Sequence, residues 1–537
     1  MKKHFLALLL VVCMLFCLTA CNKDEVVNQE EGGQEADTDS TWLTPEKKTF
    51  RVLVNGLSSD PEPSNDLPFW QYLEERTNVH IEWEIGAGSD YEEIIRTRLS
   101  AGVDLPDLMM VKNLKIAEEA GENGVLVDLA PYWETHFTNT NAYWDAQGLD
   151  FKSHVVGSDG SIYALIGMAE PVEGHMTLMY NKDWLDQVGA EVPTTLDEFT
   201  DLVYKLKEAG DLNGNGKDDE VIFSAATVDA LTSCLGTAFG LEQYEGWDAF
   251  VSDDQGVVSC ELVSDNMKEY LTYASKLYKD KILDQELLTM TANLLSEKCA
   301  ADRVGIFCYY SSFAMSFGEM TSKGQEDPLA EVFSLGGALS SKYNNNDGYF
   351  VRRERAVGCP TAITKDCKEV ELACRWLDVL YADPDVLNTR IYGFEGVDWQ
   401  YDAQGNIEII YPEDGSPRDI DAKGCGQIAL CHFQTQDMII GGLEQYPWYL
   451  EEYEVMRTES TWKSPSVKHL NRFSDEETEI IDDVNSDVKS THVEYRDKFI
   501  KGDLDIEKNW DKYLSDMEKM GVDELTSAWQ MIHDRTK

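Results

Sequence analysis

Apolar and polar positions change period repeatedly between Phe50 and Val111. The run "FRVLVNG" (Phe50 to Gly56) is apolar and of strand length. "NDLPFWQYLEERTN" has helical character, with Asp66 as its cap and Pro68 in its first turn. "VHIEWEI" places Val79, Ile81, Trp83 and Ile85 at every second position, which predicts a half-buried strand. "YEEIIRTRLSAG" predicts a second helix ending at its glycine, and "DLPDLMMV" a third strand. This β-α-β-α-β series is the opening of a doubly wound α/β lobe.

A second series follows. "GSIYALI" leads into "HMTLMYNKDWLDQVG", in which Asn181 to Trp184 reads as a structural turn into a helix. The clearest helix is "VPTTLDEFTDLVYKLKEAG". Thr195 and Glu198 form a capping box, Leu196, Phe199, Leu202, Val203 and Leu206 mark one face, and Gly210 ends it. "RVGIFCYY" (Arg303 to Tyr310) predicts another buried strand, and "EVELACRWLDVLYAD" an amphipathic helix. From about Asp421 onward the chain reads as mostly helical and acidic, and no internal repeat is visible.

Between that clear helix and the apolar "VIFSA" lies "DLNGNGKDDE". Asp211, Asn213 and Asn215 take positions 1, 3 and 5 of an EF-hand-like loop, and Gly216 takes the sharp turn. Lys217 offers its main-chain carbonyl, and Asp219 sits at position 9. The usual bidentate glutamate position falls on Ile222, so Glu220 is the substitute. The expectation is a fixed structural calcium staple at a helix–strand junction, with a metal-free Gly/Asn turn as the competing reading. A catalytic role for these acids is disfavoured because a filled cage leaves no open coordination position.

The N-terminus changes the picture of where the protein works. Lys2 and Lys3 precede an apolar run from Phe5 to Leu18, too short for a stable span, so residues 1–20 read as an export signal. It ends in "LTAC", similar to a bacterial lipobox, which implies that Cys21 carries acyl chains. Residues 21–47 are polar and acidic and read as a flexible tether. The remaining body is too large for one core. A net charge of −53 excludes a nucleic-acid footprint and a flat anionic-lipid contact. Of the 12 cysteines, Cys13 and Cys17 leave with the signal and Cys21 is lipidated. The rest form no CxxC and number oddly, so most are expected to be buried free thiols. Cys359–Cys374 or Cys425–Cys431 bridges are open alternatives.

"YNKDWLDQVGAEVPTTLDEF" followed by "DLNGNGKDDE" resembles the family 1 extracellular solute-binding lipoproteins of Gram-positive ABC importers, in their large oligosaccharide-binding branch. "LSAGVDLPDLMMV", "GSIYAL" and "IYGFEGVDWQYDAQGNI" are similar to further family blocks in the same order, so the resemblance spans the mature chain. In alginate-binding relatives the corresponding loop holds calcium. Carried over, the ligands are Asp211, Asn213, Asn215, Lys217, Asp219 and Glu220; Leu212 stands where family loops often carry proline. The resemblance implies a monomeric, type II periplasmic-binding-protein-like α/β fold of two lobes, each a doubly wound sheet flanked by helices, with the ligand cleft between them. Residues 48–172 plus 352–395 would form lobe 1 and 173–351 plus 396–537 lobe 2. The crossings would fall near Ala169 to His175, Tyr349 to Val357 and Gly393 to Trp399. Partners would be a carbohydrate and the membrane permease, with no chemistry performed on the ligand.

Sugars present apolar C–H faces and rims of hydroxyls, so their sites need flat aromatics and polar side chains. The candidates are Tyr309, Tyr310 and Ser311 at a strand end, Trp70 early in the first helix, Glu395, Asp398 and Trp399 at the third expected crossing, and Trp448. Core packing competes for each aromatic. A lipid-anchored glycan-active enzyme, or a binder of peptides or another solute, are the rival functions. No HExxH occurs, and "GSDGS" does not fit a nucleophile elbow.

Overall fold

The computed structural model describes residues 42–535, apart from 57–61, 87, 148–151, 158, 170–175, 243–248, 352–357, 404, 406, 413–417, 426–429, 431–432, 435–445, 465 and 468–472. The export segment, Cys21 and nearly all of the tether lie outside the described residues. No described helix is long and apolar enough to cross a membrane.

The chain opens with two long parallel strands, β1 (Lys48–Asn55) and β2 (Val79–Gly86), in register from Lys48↔Val79 to Asn55↔Gly86. Between them runs the helix Pro68–Thr77. Its N-cap is Leu67, which offers no side-chain acceptor, so Asp66 is not the cap expected from sequence. The proline at the first turn, with its φ preset, opens the helix there instead. The helix Tyr91–Ala101 ends at Gly102, whose φ of 60° only glycine adopts without strain, and β3 (Leu108–Met110) then lies beside β1. β4 (Leu165–Ala169) completes the outward run.

The chain then builds a second sheet. β5 (Met176–Asn181), β6 (Val221–Ala225), the β7 (Phe250–Ser252) and β8 (Val258–Cys260) hairpin, β9 (Val304–Tyr310), β10 (Phe333–Leu335) and β11 (Tyr349–Val351) follow in order. β12 (Gly358–Ile363) returns to the first sheet and runs antiparallel to β3 and β4. After the β13 (Trp399–Tyr401) and β14 (Ile407–Ile409) hairpin, β15 (Phe433–Gln434) pairs with β4. β16 (Thr461–Lys463) pairs with β11, and helices Asp475–Lys501, Ile506–Lys519 and Val522–Arg535 close the chain.

The two main sheets have the orders β15-β4-β12-β3-β1-β2 and β10-β5-β9-β6. The second sheet divides its apolar residues between two faces by the strand period: Leu178, Tyr180, Ile306 and Cys308 on one, Met179 and Phe307 on the other. Topology also aligns the strand ends. The chain leaves the first sheet at the C-terminal end of β4 and enters the second at the N-terminal end of β5. β6 and β9 run antiparallel to β5, so they finish where the chain enters. Both sheets therefore turn strand C-termini toward the crossings, where open α/β sheets bind ligands.

The first two expected crossings fall largely on 170–175 and 352–357, outside the described residues. The third expectation needs correction. Gly393 to Trp399 stays on the first lobe, where the Trp399 indole N–H donates to the Gly393 carbonyl at 3.0 Å and the Tyr72 and Phe394 rings meet edge to face at 6.0 Å. Cys425 and Leu430 belong to the first core, and β15 extends its sheet. The described residues around Trp399, Cys425, Leu430 and β15, expected in the second lobe, thus pack on the first, whereas Tyr446 and Tyr449 belong to a core of the second. Cys374 and Cys425 are buried free thiols, as expected of most cysteines, so neither alternative bridge, Cys359–Cys374 or Cys425–Cys431, is present. Both side chains sit inside the first core, which closes around them without a covalent link.

Candidate functional site

Tyr309 and Tyr310 end β9, opposite Thr177 and Met176 of β5. Both are half-buried, with ring centroids 4.7 Å apart, and the Phe313 ring lies 4.5 Å from Tyr309. Ser311 is buried, and its Oγ accepts a hydrogen bond from the Tyr449 hydroxyl at 2.8 Å. Tyr449 belongs to the helix Pro447–Glu459, whose half-buried Trp448 donates its indole N–H to the Leu329 carbonyl at 3.1 Å. Four of the expected site residues, Tyr309, Tyr310, Ser311 and Trp448, are thereby gathered at one edge of the second lobe. Tyr449 was not singled out in the sequence. Its signal is the helical spacing of Tyr446, Tyr449 and Tyr453, all buried.

The other four expected residues lie on the first lobe. Trp70 is 5% exposed, edge-on to Phe69 and Trp83 with centroids 5.1 and 4.7 Å away. Asp398 is buried inside the turn it shapes: its carboxylate accepts the Phe394 N–H at 2.8 Å and pairs with the Lys423 ammonium. Gly393, at φ 85°, allows this approach, since a Cβ there would stand 2.4 Å from an Asp398 carboxylate oxygen. Trp399 is buried against that turn, and Glu395 is exposed at its tip. The structure does not bring this group into contact with the tyrosine edge among the described residues.

The helix carrying Trp448 and Tyr449 is held to β10 by Glu452, whose carboxylate accepts the Leu335 N–H at 2.8 Å. Burial, with Glu331 nearby, pushes the Glu452 carboxyl up to about 7, against the lowering effects of the Leu335 N–H and Lys182. The folded state therefore binds a proton that the unfolded state has released. The contribution of this group is full below the ordinary value of 4.5 and is lost as pH rises to about 7. Glu452→Gln, which keeps the acceptor, is expected to remove that part of the slope. Discounted for partial solvation, it should raise stability at neutral pH by about 1 kcal/mol. Denaturant titrations of both proteins across that window check the prediction; parallel curves would refute it.

The helix Leu196–Ala209 starts at the expected capping box of Thr195 and Glu198, Gly210 ends it at φ 77°, and the acidic loop begins there. Leu196, Phe199, Leu202, Val203 and Leu206 are all buried, as the period predicted. Within the loop, Gly216 N–H donates to Asp211 Oδ2 at 2.9 Å, and the Asn213 and Asn215 amides both donate to Asp219 Oδ1, at 3.3 and 3.0 Å. Asn213 Oδ1 accepts from Asn215 N–H and Asn215 Oδ1 from Lys217 N–H. The Asn215 amide chiefly, with Asn213, Arg303 and Lys217, holds the Asp219 carboxyl below its usual range. Glu220 closes the loop's two ends, accepting Leu212 N–H at 3.0 Å and Asp219 N–H at 3.2 Å.

Asp211, Asn213, Asn215 and Asp219 thus turn toward one another, and their oxygens are the hard donors calcium takes. No group of three or more His, Cys, Asp or Glu side chains among the described residues forms a metal site by itself. A cation here therefore depends on amide and main-chain oxygens as well as the two aspartates. The loop precedes β6 and lies at the end of the sheet away from Tyr310. The Arg303 guanidinium, just before the parallel β9, donates to the Asp219 carbonyl at 2.9 Å.

Residues 58–232 match the model of the bacterial extracellular solute-binding protein family. The chain is 24% identical over 553 residues to FusA, a fructooligosaccharide ABC transporter substrate-binding protein of Streptococcus pneumoniae, covering 98% of this chain and 97% of that protein. Its fold is similar to the alginate-binding protein AlgQ2 solved without calcium ion, with a TM-score of 0.72 and 18% identity over 92% of this chain and 100% of AlgQ2. It is also similar to an EF-hand mutant of S. pneumoniae FusA in complex with fructo-nystose, with a TM-score of 0.72 and 21% identity over 91% of this chain and 99% of that one. Residues 58–232 are thus similar to the bacterial extracellular solute-binding proteins, and the order of the first sheet and the alignment of strand ends toward the crossings belong to a fold similar to those of AlgQ2 and FusA.

Proposed function

We propose that this chain is the substrate-binding lipoprotein of an ABC importer, capturing an oligosaccharide between its lobes and passing it to a membrane permease. The observation that carries the proposal is the half-exposed Tyr309–Tyr310 pair at the strand end of β9, on the edge toward which both sheets point. Tyrosine faces stack on sugar C–H faces, and their hydroxyls meet the rim. Trp448 and exposed Glu395 are the proposed flanking contacts. Trp70, Asp398, Trp399 and Ser311 support from the core. The relatives' names support the carbohydrate class: FusA binds fructooligosaccharide and AlgQ2 alginate.

In this reading the lobes comprise 48–169 with 358–434, and 176–351 with 446–535. Acyl chains on Cys21 hold the monomer at the outer face of the membrane, each buried methylene contributing about 0.8 kcal/mol. Asp211, Asn213, Asn215, the Lys217 carbonyl, Asp219 and Glu220 would hold calcium, whose charge would tie the helix end to the start of β6. Binding of ligand to the closed arrangement drives closure through its differential affinity. The protein turns over no ligand.

Thermal-shift and calorimetric titration of the soluble body with oligosaccharides, peptides and simple solutes tests the proposal. A glycan that raises the midpoint and is recovered unchanged supports it. A shift with peptides alone, or glycan cleavage, overturns it. With the glycan found, Tyr310→Ala is expected to weaken binding about tenfold, close to 1.4 kcal/mol. An unchanged dissociation constant would remove Tyr310 from the site.

A further inference from the structure

One ion pair joins the two lobes. Lys115 stands in the first turn of the helix Leu114–Glu122, which begins just past the end of β3 and lends Leu114, Ile116 and Ala117 to the core of the first lobe. Its ammonium donates to the carboxylate of Asp482. Asp482 lies in the helix Asp475–Lys501, which buries Val488, Phe499 and Ile500 in the core of the second lobe. The two side chains are 49% and 59% exposed. Neither charge suits its own helix. A lysine in a first turn opposes the positive end of the helix dipole, and this first turn holds no acid to offset it. Glu118 and Glu119 stand one turn on, at the spacing of a helical pair, yet the ammonium turns to the other lobe. Asp482 has Glu479 one turn before it and Asp483 beside it, a like-charge arrangement that weakens a helix.

We propose that Lys115 and Asp482 form an electrostatic clasp that holds the two lobes in the closed arrangement. β3 ends toward the crossings, as the strands of both sheets do, so the helix that follows it starts at the rim of the cleft. A contact from that rim to the far lobe forms only as the lobes approach each other. Each charge is a local cost to its helix that the opposite lobe offsets, and such breaches of local preference mark functional positions. The clasp touches no ligand. It biases the equilibrium between open and closed lobes, and the ligand's apparent affinity scales with the closed fraction. Because both groups face solvent, the bias is modest and tunable by salt. The screening length falls from about 10 Å at 0.1 M to about 3 Å at 1 M, so high salt loosens the clasp.

The inference rests on the two-lobed binding-protein reading for its motion, but its test needs no ligand. Single-molecule energy transfer on the full chain reports the distance between the lobes. Dyes are placed through unnatural amino acids at exposed Val103 of the first lobe and at exposed Val257 or Leu294 of the second, giving two dye pairs. Lys115→Glu, which sets like charges against each other, is expected to lower the ratio of short-distance to long-distance molecules about threefold. Asp482→Lys should do the same, and the double exchange Lys115→Glu with Asp482→Lys should restore the ratio. Lys115→Gln, which removes the charge without reversing it, should give a smaller shift in the same direction and guards against a reversal that disturbs folding. Raising salt from 0.1 to 1 M should lower the ratio in the parent protein and leave Lys115→Gln nearly unchanged. Unchanged distances in both dye pairs for the single reversals overturn the proposal. A double exchange that fails to restore the parent ratio also overturns it, because the effect would then belong to each helix alone. Since the distances are read without ligand, a failure to bind any glycan would overturn the transport reading while leaving this result standing.

Discussion

Lys298→Met is expected to cost about 3–5 kcal/mol of stability, because it removes one partner of a buried ion pair. Lys298, in the helix Ala292–Ala300, is 8% exposed, and Asp284 is 6% exposed. The ammonium donates to both Asp284 oxygens, at 2.9 and 2.7 Å, and reaches exposed Glu286 at 2.8 Å. The Ser224 hydroxyl of β6 donates to Asp284 Oδ2 at 2.8 Å, and the Glu286 N–H to Oδ1 at 3.0 Å. Without Lys298 the carboxylate would keep only those two neutral donors in a site that excludes water. Methionine retains the stem's volume, so the loss reports charge rather than a cavity. Adding Asp284→Asn should recover much of the loss, since the cost lies in the orphaned charge. Denaturant unfolding measures both. A loss under about 1 kcal/mol for the single variant would mean that water reaches the pair.

Calcium is expected to raise the stability of the second lobe by about 3–4 kcal/mol when present at a hundred to a thousand times its dissociation constant, and chelation should remove the gain. The sign follows from binding to the folded loop alone, because the unfolded chain does not assemble the set around Asp211 and Asp219. Asp211→Ala and Asp219→Ala should each abolish the difference between calcium and chelator. Glu220→Ala should also weaken the metal-free protein, because Glu220 accepts the Leu212 and Asp219 N–H groups that close the loop. The loop lies at the far end of β6 from Tyr310, so chelation should lower the midpoint more than it changes ligand affinity. Coincident melting curves with calcium and with chelator would reduce the stretch to a turn.

Elements whose signals are local were legible before the structure. The helix Leu196–Ala209 begins at its capping box and buries the five residues its period marked, because both features lie within one turn or one face. β2 follows "VHIEWEI" closely for the same reason. Tyr309 and Tyr310 could be placed at a strand end because an apolar run stops at "SS". Tyr449 could not be placed beside them, since its bond to Ser311 spans 138 positions. Sequence alone puts Trp399, Cys425 and Leu430 in the wrong lobe, because the strand that decides it, β15, is two residues long and pairs with β4 far upstream.

The sequence by itself determined the class of fold, the order of its elements, the oxygen-rich loop and the aromatic strand end. Each rests on hydrophobic period, turn chemistry or side-chain spacing within a few residues. Tertiary structure decided which lobe each late segment joins, that Lys298 neutralises Asp284, and that Asp398 is turned inward onto Lys423. Those outcomes depend on desolvation and contact between positions remote in the chain, and local sequence carries no record of which partner arrives.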